Sequence, residues 1–446
     1  GVGLTLAQWM IEGEAERDVT GLDVGRFGKW ITPGYTRPKV IENYQTRFSI
    51  AYPNEEKPAA RPHRTTMMYD IFNSMGAVWG QQFGLEVVNY FAQGDEPRYE
   101  TPTFRRSNAF SPTAREVKGV REGVGINEVQ NFGKFLVKGP NAKGWIGRIM
   151  AGRIPKPGRI SLTPMLSPKG RLWGDFTISC LSETEYQLTA SYGAQDIHHR
   201  WFLMNPMEGV TVENISDRLT GFQIAGPKAR EVLQACTRSD VGAMKFLDVQ
   251  RMVVGQANCI VQRVSYTGDL GYEIYCDAMD QRSLWHVLWH AGQPHGMIPF
   301  GMRAMMSLRL DRFFGSWLRE FSPDYTTAET GLDRFIDWKR NDFIGYGPAA
   351  AERNVPPARQ LVTFIVEAED ADVTAYEPVF IKGEVAGFCT SGGYSHHLGQ
   401  SVAYALVPRT AVVEGLEVDI ELLGKRRKAR RVTESGFDPD GARLRG

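Results

Sequence analysis

Nine residues of this chain occur twice in recognisable form. Phe135-Leu-Val-Lys-Gly-Pro-Asn-Ala-Lys resembles Phe222-Gln-Ile-Ala-Gly-Pro-Lys-Ala-Arg. Each copy reads as a short alternating strand, then Gly-Pro, then the start of a helix. Proline suits the first helical turn, where its missing N–H is not needed. A chain that carries this unit twice is constrained towards a domain of two related α+β halves. At 446 residues it has room for two or three domains, given the usual ~100–200 residues each. Its apolar fraction of 42% suits packed cores and excludes disorder.

Three hairpins are readable around the repeats. In Gly174-Asp-Phe-Thr-Ile-Ser-Cys, residues Phe176, Ile178 and Cys180 share one face, and Asp175, Thr177 and Ser179 share the other. The turn Ser182-Glu-Thr-Glu leads into Tyr186-Gln-Leu-Thr-Ala. A second hairpin reads Cys259 to Tyr266, a turn at 267–271, then Tyr272-Glu-Ile-Tyr-Cys. A third lies near 377–390. Residues 281–292 predict a helix with Leu284, Val287, Leu288 and Ala291 on one face. A break near 345–358 precedes ~90 residues of strand alternation and glycine turns, which predict a small all-β domain. The first twelve residues read as a short helix. Residues 13–66, rich in charge and including Lys57-Pro-Ala-Ala-Arg-Pro-His-Arg, read as a traversing linker. A helix without its own core, followed by a linker, suggests the tail of an upstream domain.

Charge and special residues narrow the function. Lys+Arg is 52 and Asp+Glu is 51, so the net charge is +1, which argues against a dedicated nucleic-acid or anionic-membrane binder. No stretch approaches the ~18 uninterrupted apolar residues of a membrane span. Five scattered cysteines without a CxxC make neither a disulfide framework nor a cysteine zinc site, and suit a reducing compartment. His286 and His290 share a helix side, and His198-His199 and His396-His397 are adjacent. None has the further ligands of a metal centre, so no metal is expected. The basic run Lys425-Arg-Arg-Lys-Ala-Arg-Arg reads first as the charged, exposed edge of a terminal strand, and second as an anion site. No Walker A pattern exists, and Gly1-Val-Gly3 has no strand before it. Asp175 and Glu273 are the more informative acids. Each lies in or beside an otherwise apolar hairpin. On a surface strand they would serve solubility. In a pocket, one could accept paired N–H donors of a heterocycle and the other could handle a proton.

Around these acids the chain resembles a known family. It is similar to the folate-binding half of FAD-dependent dimethylglycine and sarcosine dehydrogenases and oxidases, which is itself like the glycine-cleavage T-protein. The motifs are Gly123-Val-Gly-Ile-Asn-Glu-Val-Gln-Asn-Phe-Gly-Lys-Phe, Val264-Ser-Tyr-Thr-Gly-Asp-Leu-Gly-Tyr-Glu-Ile, Pro299-Phe-Gly-Met-Arg-Ala-Met-Met-Ser-Leu-Arg-Leu and Asp342-Phe-Ile-Gly. Leu6-Ala-Gln-Trp-Met, Asp23-Val-Gly-Arg-Phe-Gly and Arg61-Pro resemble the end of the FAD domain and the crossing into the folate module.

The resemblance implies an α+β T-protein-like domain of repeated strand-helix halves at 61–345. It also implies a C-terminal all-β, barrel-like domain at 346–446 and the end of an FAD domain with its linker at 1–60. By position, Asp175 matches the family's catalytic aspartate, Glu273 the glutamate that pairs with the pteridine, and Tyr266 a tyrosine of the same pocket. Tetrahydrofolate is the implied cofactor, with FAD only in the upstream domain. The implied partners are a methylated amine, folate and a fused or associated FAD domain. The implied location is the cytoplasm, or the mitochondrial matrix in a eukaryote. The implied chemistry is oxidation of an N-methyl amine upstream, and capture of the resulting iminium or formaldehyde as 5,10-methylenetetrahydrofolate here.

The chain departs from the T-protein pattern in three places. Gly174-Asp175 stands where the T-protein has two successive acids. Ala304-Met305-Met306 replaces Ala-Arg-Asp, leaving Arg303 or Arg309 as candidate substitutes for a folate-contacting arginine. Leu162 replaces a pocket tyrosine. The competing readings are a stand-alone aminomethyltransferase or demethylase, and a non-catalytic folate-binding regulatory module.

Overall fold

The computed structural model describes all 446 residues. Its first helix, α1 (Val2–Glu12), buries none of its side chains, as expected for a helix without a core. Residues 13–66 are more than a linker, because they contain α2 (Pro33–Gln45). Pro33 opens this helix, but Pro38 inside it and the surrounding charges hide the helical period. Contacts outside the helix hold it. Tyr35 packs against Trp30 and His63, with ring centroids 5.1 and 4.7 Å away. Lys39 Nζ donates to the Lys57 carbonyl at 3.0 Å, and the Ala59 N–H donates to the Glu42 carboxylate at 2.8 Å.

The central region opens with α3 (Tyr69–Ser74) and the hairpin β1 (Ala77–Gln82) and β2 (Leu85–Phe91). Helix α4 (Phe110–Glu122) and strand β3 (Gly125–Glu128) follow. The first repeat then runs β4 (Phe132–Lys138), α5 (Ala142–Ile149), β5 (Ile160–Leu166), β6 (Leu172–Ser182), β7 (Glu185–Ser191), α6 (Gln195–Met204) and β8 (Thr211–Asn214). The second runs β9 (Leu219–Ala225), α7 (Ala229–Ala235), β10 (Val249–Val254), β11 (Ala257–Gln262), β12 (Gly271–Asp277), α8 (Gln281–Gly292) and β13 (Ile298–Pro299). The first four strands of the two sheets match in order, β5-β6-β7-β4 in one half and β10-β11-β12-β9 in the other; β8 completes the first sheet, and β3 and β13 complete the second. The repeated nonapeptide therefore marks a repeated architecture.

The Gly-Pro step has a different purpose from the one its sequence suggests. Pro140 lies just outside α5, with Asn141 at the cap, so proline is not in the first turn. The glycine is the demanding residue. Gly139 and Gly226 have φ of 137° and 125°, and a Cβ on either would overlap a carbonyl oxygen, of Gly209 and Val120 respectively. Only glycine lets the chain pass so close to a neighbouring backbone.

Each half buries one face of its sheet against its own helices. Phe135, Phe176, Ile178, Cys180 and Leu188 pack with Trp145, Ile146 and Ile149 of α5 and Phe202 of α6. Phe222, Ile224, Val261 and Ile274 pack with Val232 and Leu233 of α7 and Leu284, Trp285 and Leu288 of α8. Trp285 thus belongs to the buried stripe of α8, while His286 and His290 are exposed. Each such side chain contributes about 1.5–3 kcal/mol through burial. Because strands alternate, the opposite face of each sheet is left for other use.

A further helix, α9 (Met302–Leu310), ties this region to the C-terminal domain. The Ser307 hydroxyl donates to the Tyr394 carbonyl at 2.8 Å, and Arg309 donates to the Ser391 hydroxyl at 2.7 Å. The interval read as a break contains a short helix, Tyr346–Glu352, which starts after Gly345 at φ 84°. The domain beyond it is a closed six-stranded barrel. Its strands are β14 (Arg359–Val366), β15 (Pro378–Ile381), β16 (Glu384–Ser395), β17 (Gln400–Pro408), β18 (Glu417–Leu422) and β19 (Lys425–Val432), in the order β14-β17-β16-β15-β18-β19. Closure corrects the reading of the basic run. β19 pairs with both β14 and β18, so it is no edge. Its charges serve the barrel wall: Arg427 pairs with Glu369 at 2.6 Å, Lys428 with Asp419 at 2.8 Å, and Arg426 covers the Phe380 ring.

Candidate active site

The two hairpins β6–β7 and β11–β12 occupy matching places in the two halves. Their polar faces carry Asp175, Thr177 and Ser179 with Gln187 and Thr189 on one side, and Gln262 with Glu273 and Tyr275 on the other. These faces look at one another. Thr177 lies opposite Thr189 in the β6–β7 register. The Thr189 hydroxyl is within hydrogen-bonding reach of the Tyr275 phenol oxygen, and Tyr275 in turn donates to Glu273 at 2.6 Å. A polar contact therefore crosses between the sheets from Thr189 through Tyr275 to Glu273, and Asp175 lies two residues from Thr177 on the β6 face that bears this contact.

The hairpin formed by β11 and β12 is shorter than its residue pattern suggests. β11 ends at Gln262, and residues 263–270 form a loop that carries Tyr266. The Ser265 and Thr267 hydroxyls bond each other at 2.7 Å. Asp269 is held by Arg121 at 3.3 Å and Arg443 at 2.8 Å. So anchored, Tyr266 donates to the Gly315 carbonyl at 2.7 Å and stacks on Phe314 with centroids 6.0 Å apart. The Asp175 charge is close enough to oppose ionisation of the Tyr266 phenol. The structure thus places Asp175 near Tyr266, and sets Glu273 with Tyr275 on the facing hairpin of the other half.

Burial sets the charge states there. Desolvation raises the Asp175 carboxyl to about 6, with no cation nearby to hold it down. Desolvation also raises Glu273 to about 7, although the Tyr275 hydrogen bond and the Lys134 charge pull the other way. Lys134, on the same face of β4, is fully enclosed and is lowered by burial to about 7. Its ammonium donates to the carbonyls of Val129 and Gln130 at 3.2 and 3.3 Å.

The polar groups of this space are unusually short of partners. Gln262 Oε1 and Nε2, Gln187 Oε1, Gln223 Oε1 and Ser179 Oγ are all buried without a hydrogen bond to the protein. Buried polar groups are nearly always bonded, so such a cluster calls for a polar ligand or solvent. Leu162 lies opposite Thr177 on β5, remains 38% exposed, and adds an apolar wall. The two candidate arginines are engaged elsewhere. Arg303 is held by Glu100 at 2.7 Å, and Arg309 by Glu320 at 2.9 Å.

Sequence reasoning missed Lys134, Gln223, Gln262 and Tyr275. The signal was present as alternation: polar Gln223 and Gln262 each follow residues of the apolar stripe. What the pattern lacks is the identity of the surface that each face meets.

Comparison with known proteins adds to this geometry. The profile described as GCVT N-terminal domain matches residues 68–340. The chain belongs to the glycine-cleavage T-protein family. The family's C-terminal barrel domain matches residues 359–438, the region of the closed barrel. The profile described as FAD dependent oxidoreductase central domain matches residues 12–66. Mitochondrial dimethylglycine dehydrogenase of Rattus norvegicus is 35% identical over 97% of this chain and 51% of its own length. The aminomethyltransferase of Moorella thermoacetica is 30% identical over 72% of this chain and 88% of its own. A 4-methylaminobutanoate oxidase (formaldehyde-forming) of Paenarthrobacter nicotinovorans is 27% identical over the whole chain and 55% of its own length. The chain therefore spans about half the length of these dehydrogenase and oxidase relatives. The crystal structure of the glycine cleavage system aminomethyltransferase T from Bartonella henselae superposes with a TM-score of 0.74 at 20% identity. It covers 84% of this chain and 99% of that one, which establishes the T-protein fold. No helix is long and apolar enough to cross a membrane.

Proposed function

We propose that this chain binds tetrahydrofolate between its two sheets and transfers a one-carbon unit to it. The unit would come from a methylated amine oxidised in an FAD-dependent partner domain, fused or associated. The observation that carries the reading is the inter-sheet space itself, with two acids on facing hairpins beside unpartnered amides and an aromatic wall. These groups suit a reduced pterin, whose ring offers N–H and carbonyl edges as well as flat faces. Tetrahydrofolate, when bound, supplies the nucleophilic nitrogens that capture the carbon and close it into 5,10-methylenetetrahydrofolate.

The chain's own residues then have separable tasks. Glu273 keeps lone pairs free beyond the one that Tyr275 occupies, so its carboxylate can accept paired ring N–H donors. Tyr266, with its hydroxyl fixed on Gly315, holds its ring still as a wall of the pocket. Asp175, at about 6, is mostly ionised at neutral pH and protonates readily, which suits a group that takes a proton or steadies a cation. Arg303 and Arg309 stay with Glu100 and Glu320 and take no part.

On this reading the chain divides at 1–60, 61–345 and 346–446. The protein resides in the cytoplasm or, in a eukaryote, the mitochondrial matrix, as supported by the mitochondrial relatives. Calorimetric titration of the full chain with tetrahydrofolate tests the proposal. Saturable one-to-one binding, weakened in Glu273→Ala, supports it; absence of binding to the wild-type chain overturns it.

A further inference from the structure

Gln262 is a residue whose place makes little sense without a ligand. Its side chain is fully enclosed, yet neither its amide oxygen nor its amide nitrogen finds a partner among the protein's own groups. It sits at the end of β11, directly opposite Glu273 in the β11–β12 register, so both project from the same face. On the other side of Glu273, across the β12–β9 register, stands Gln223. Its Nε2 donates to Asn127 Oδ1 at 3.3 Å, and its Oε1 is unpartnered. The Glu273 carboxylate is thus flanked by an amide free to donate and accept and by an amide oxygen free to accept. Val261, the neighbour of Gln262 in sequence, fills the apolar core behind the sheet, so the strand itself is well packed.

We infer that Gln262 is a recognition residue for the bound pterin. Its N–H groups would meet the ring carbonyl oxygen, and its carbonyl would take a ring N–H next to the pair accepted by Glu273. This rests on the folate reading above. The physical basis is mismatch: an amide buried without partners weakens the ligand-free fold and strengthens binding of whatever completes its hydrogen bonds. Gln262 differs from the structural residues Arg309 and His198, which each leave one buried nitrogen unpartnered but bond through another, in having both ends of its amide unpartnered. Asp175 and Tyr266 serve chemistry and walls; Gln262 reads the edge of the ring.

Stability and affinity should then move in opposite directions. In Gln262→Leu, and in Gln262→Met as a second variant of similar shape, the ligand-free melting temperature is equal to or above that of the wild type. Tetrahydrofolate binding weakens about 10- to 100-fold, the equivalent of one or two hydrogen bonds. At saturating tetrahydrofolate, turnover with formaldehyde stays close to the wild-type rate, so the effect falls on KM. Binding within twofold of wild type in both variants overturns the inference and leaves the folate reading standing. A loss of affinity accompanied by a lower ligand-free melting temperature in both also overturns it, since Gln262 is then structural. Absence of tetrahydrofolate binding to the wild-type chain overturns both.

Discussion

Protonation of Glu273 should make tetrahydrofolate binding depend on pH. In the free protein burial lifts this carboxyl to about 7. Accepting two ring N–H groups requires the carboxylate, so binding favours the ionised form and lowers its pKa. With a free-state pKa near 7, about one molecule in ten carries the carboxylate at pH 6 and about nine in ten at pH 8. The apparent affinity should therefore rise about tenfold between pH 6 and pH 8. At pH 7 binding should release about half a proton, readable by calorimetry in buffers of different ionisation heat. Glu273→Gln should bind about 10- to 100-fold more weakly, as expected for losing charge-assisted hydrogen bonds, and should flatten the profile. Lys134→Met should move the wild-type profile to higher pH, because the lysine charge helps hold Glu273 ionised. An affinity that is flat from pH 6 to pH 8, or that falls with rising pH, refutes the assignment.

The remaining expectations concern chemistry and fold. The rate of one-carbon transfer should rise with pH through about 6 as Asp175 ionises, and Asp175→Asn should abolish that limb in a pH–rate profile. His198 is buried against Phe176, and burial lowers its pKa to about 4. The unfolded chain takes up that proton near 6.5 and the folded chain does not, so stability is lost as pH falls from 6.5 to 4. The loss is about 3 kcal/mol, and urea melts of His198→Leu should show a shallower decline. Trp145→Ala empties the core behind β4 to β7 and should cost about 3–5 kcal/mol in denaturant titration. Removing the guanidinium of Arg309 by Arg309→Met leaves Glu320 buried and unpaired, and should cost about 3–5 kcal/mol by the same measurement.

Much of the architecture is legible because periodicity and glycine chemistry are local. Phe135 and Phe222 announce matching strands, and the alternation of Phe176, Ile178 and Cys180 against Asp175, Thr177 and Ser179 assigns the two faces of β6. A face is not a neighbour, however. Nothing within β12 says that Tyr275 meets Thr189 of the other hairpin, because that meeting depends on how two separately built halves stack. For the same reason the path through Tyr275 stays hidden while Glu273 is visible through its motif. Closure of the barrel is equally non-local: Lys425 to Arg431 look like an edge until β14 pairs with them. Helix α2 is masked by Pro38 and is held by Trp30, Gln81 and Lys57, contacts that no window of its own sequence contains.

The central claim is that Asp175 acts on a one-carbon unit at a folate held between the sheets. The most direct measurement compares wild type and Asp175→Ala for tetrahydrofolate affinity and for methylene transfer from formaldehyde in the same preparation. The expected result is affinity within a few-fold of wild type and transfer reduced about 100-fold or more. Transfer at the wild-type rate in the variant contradicts it.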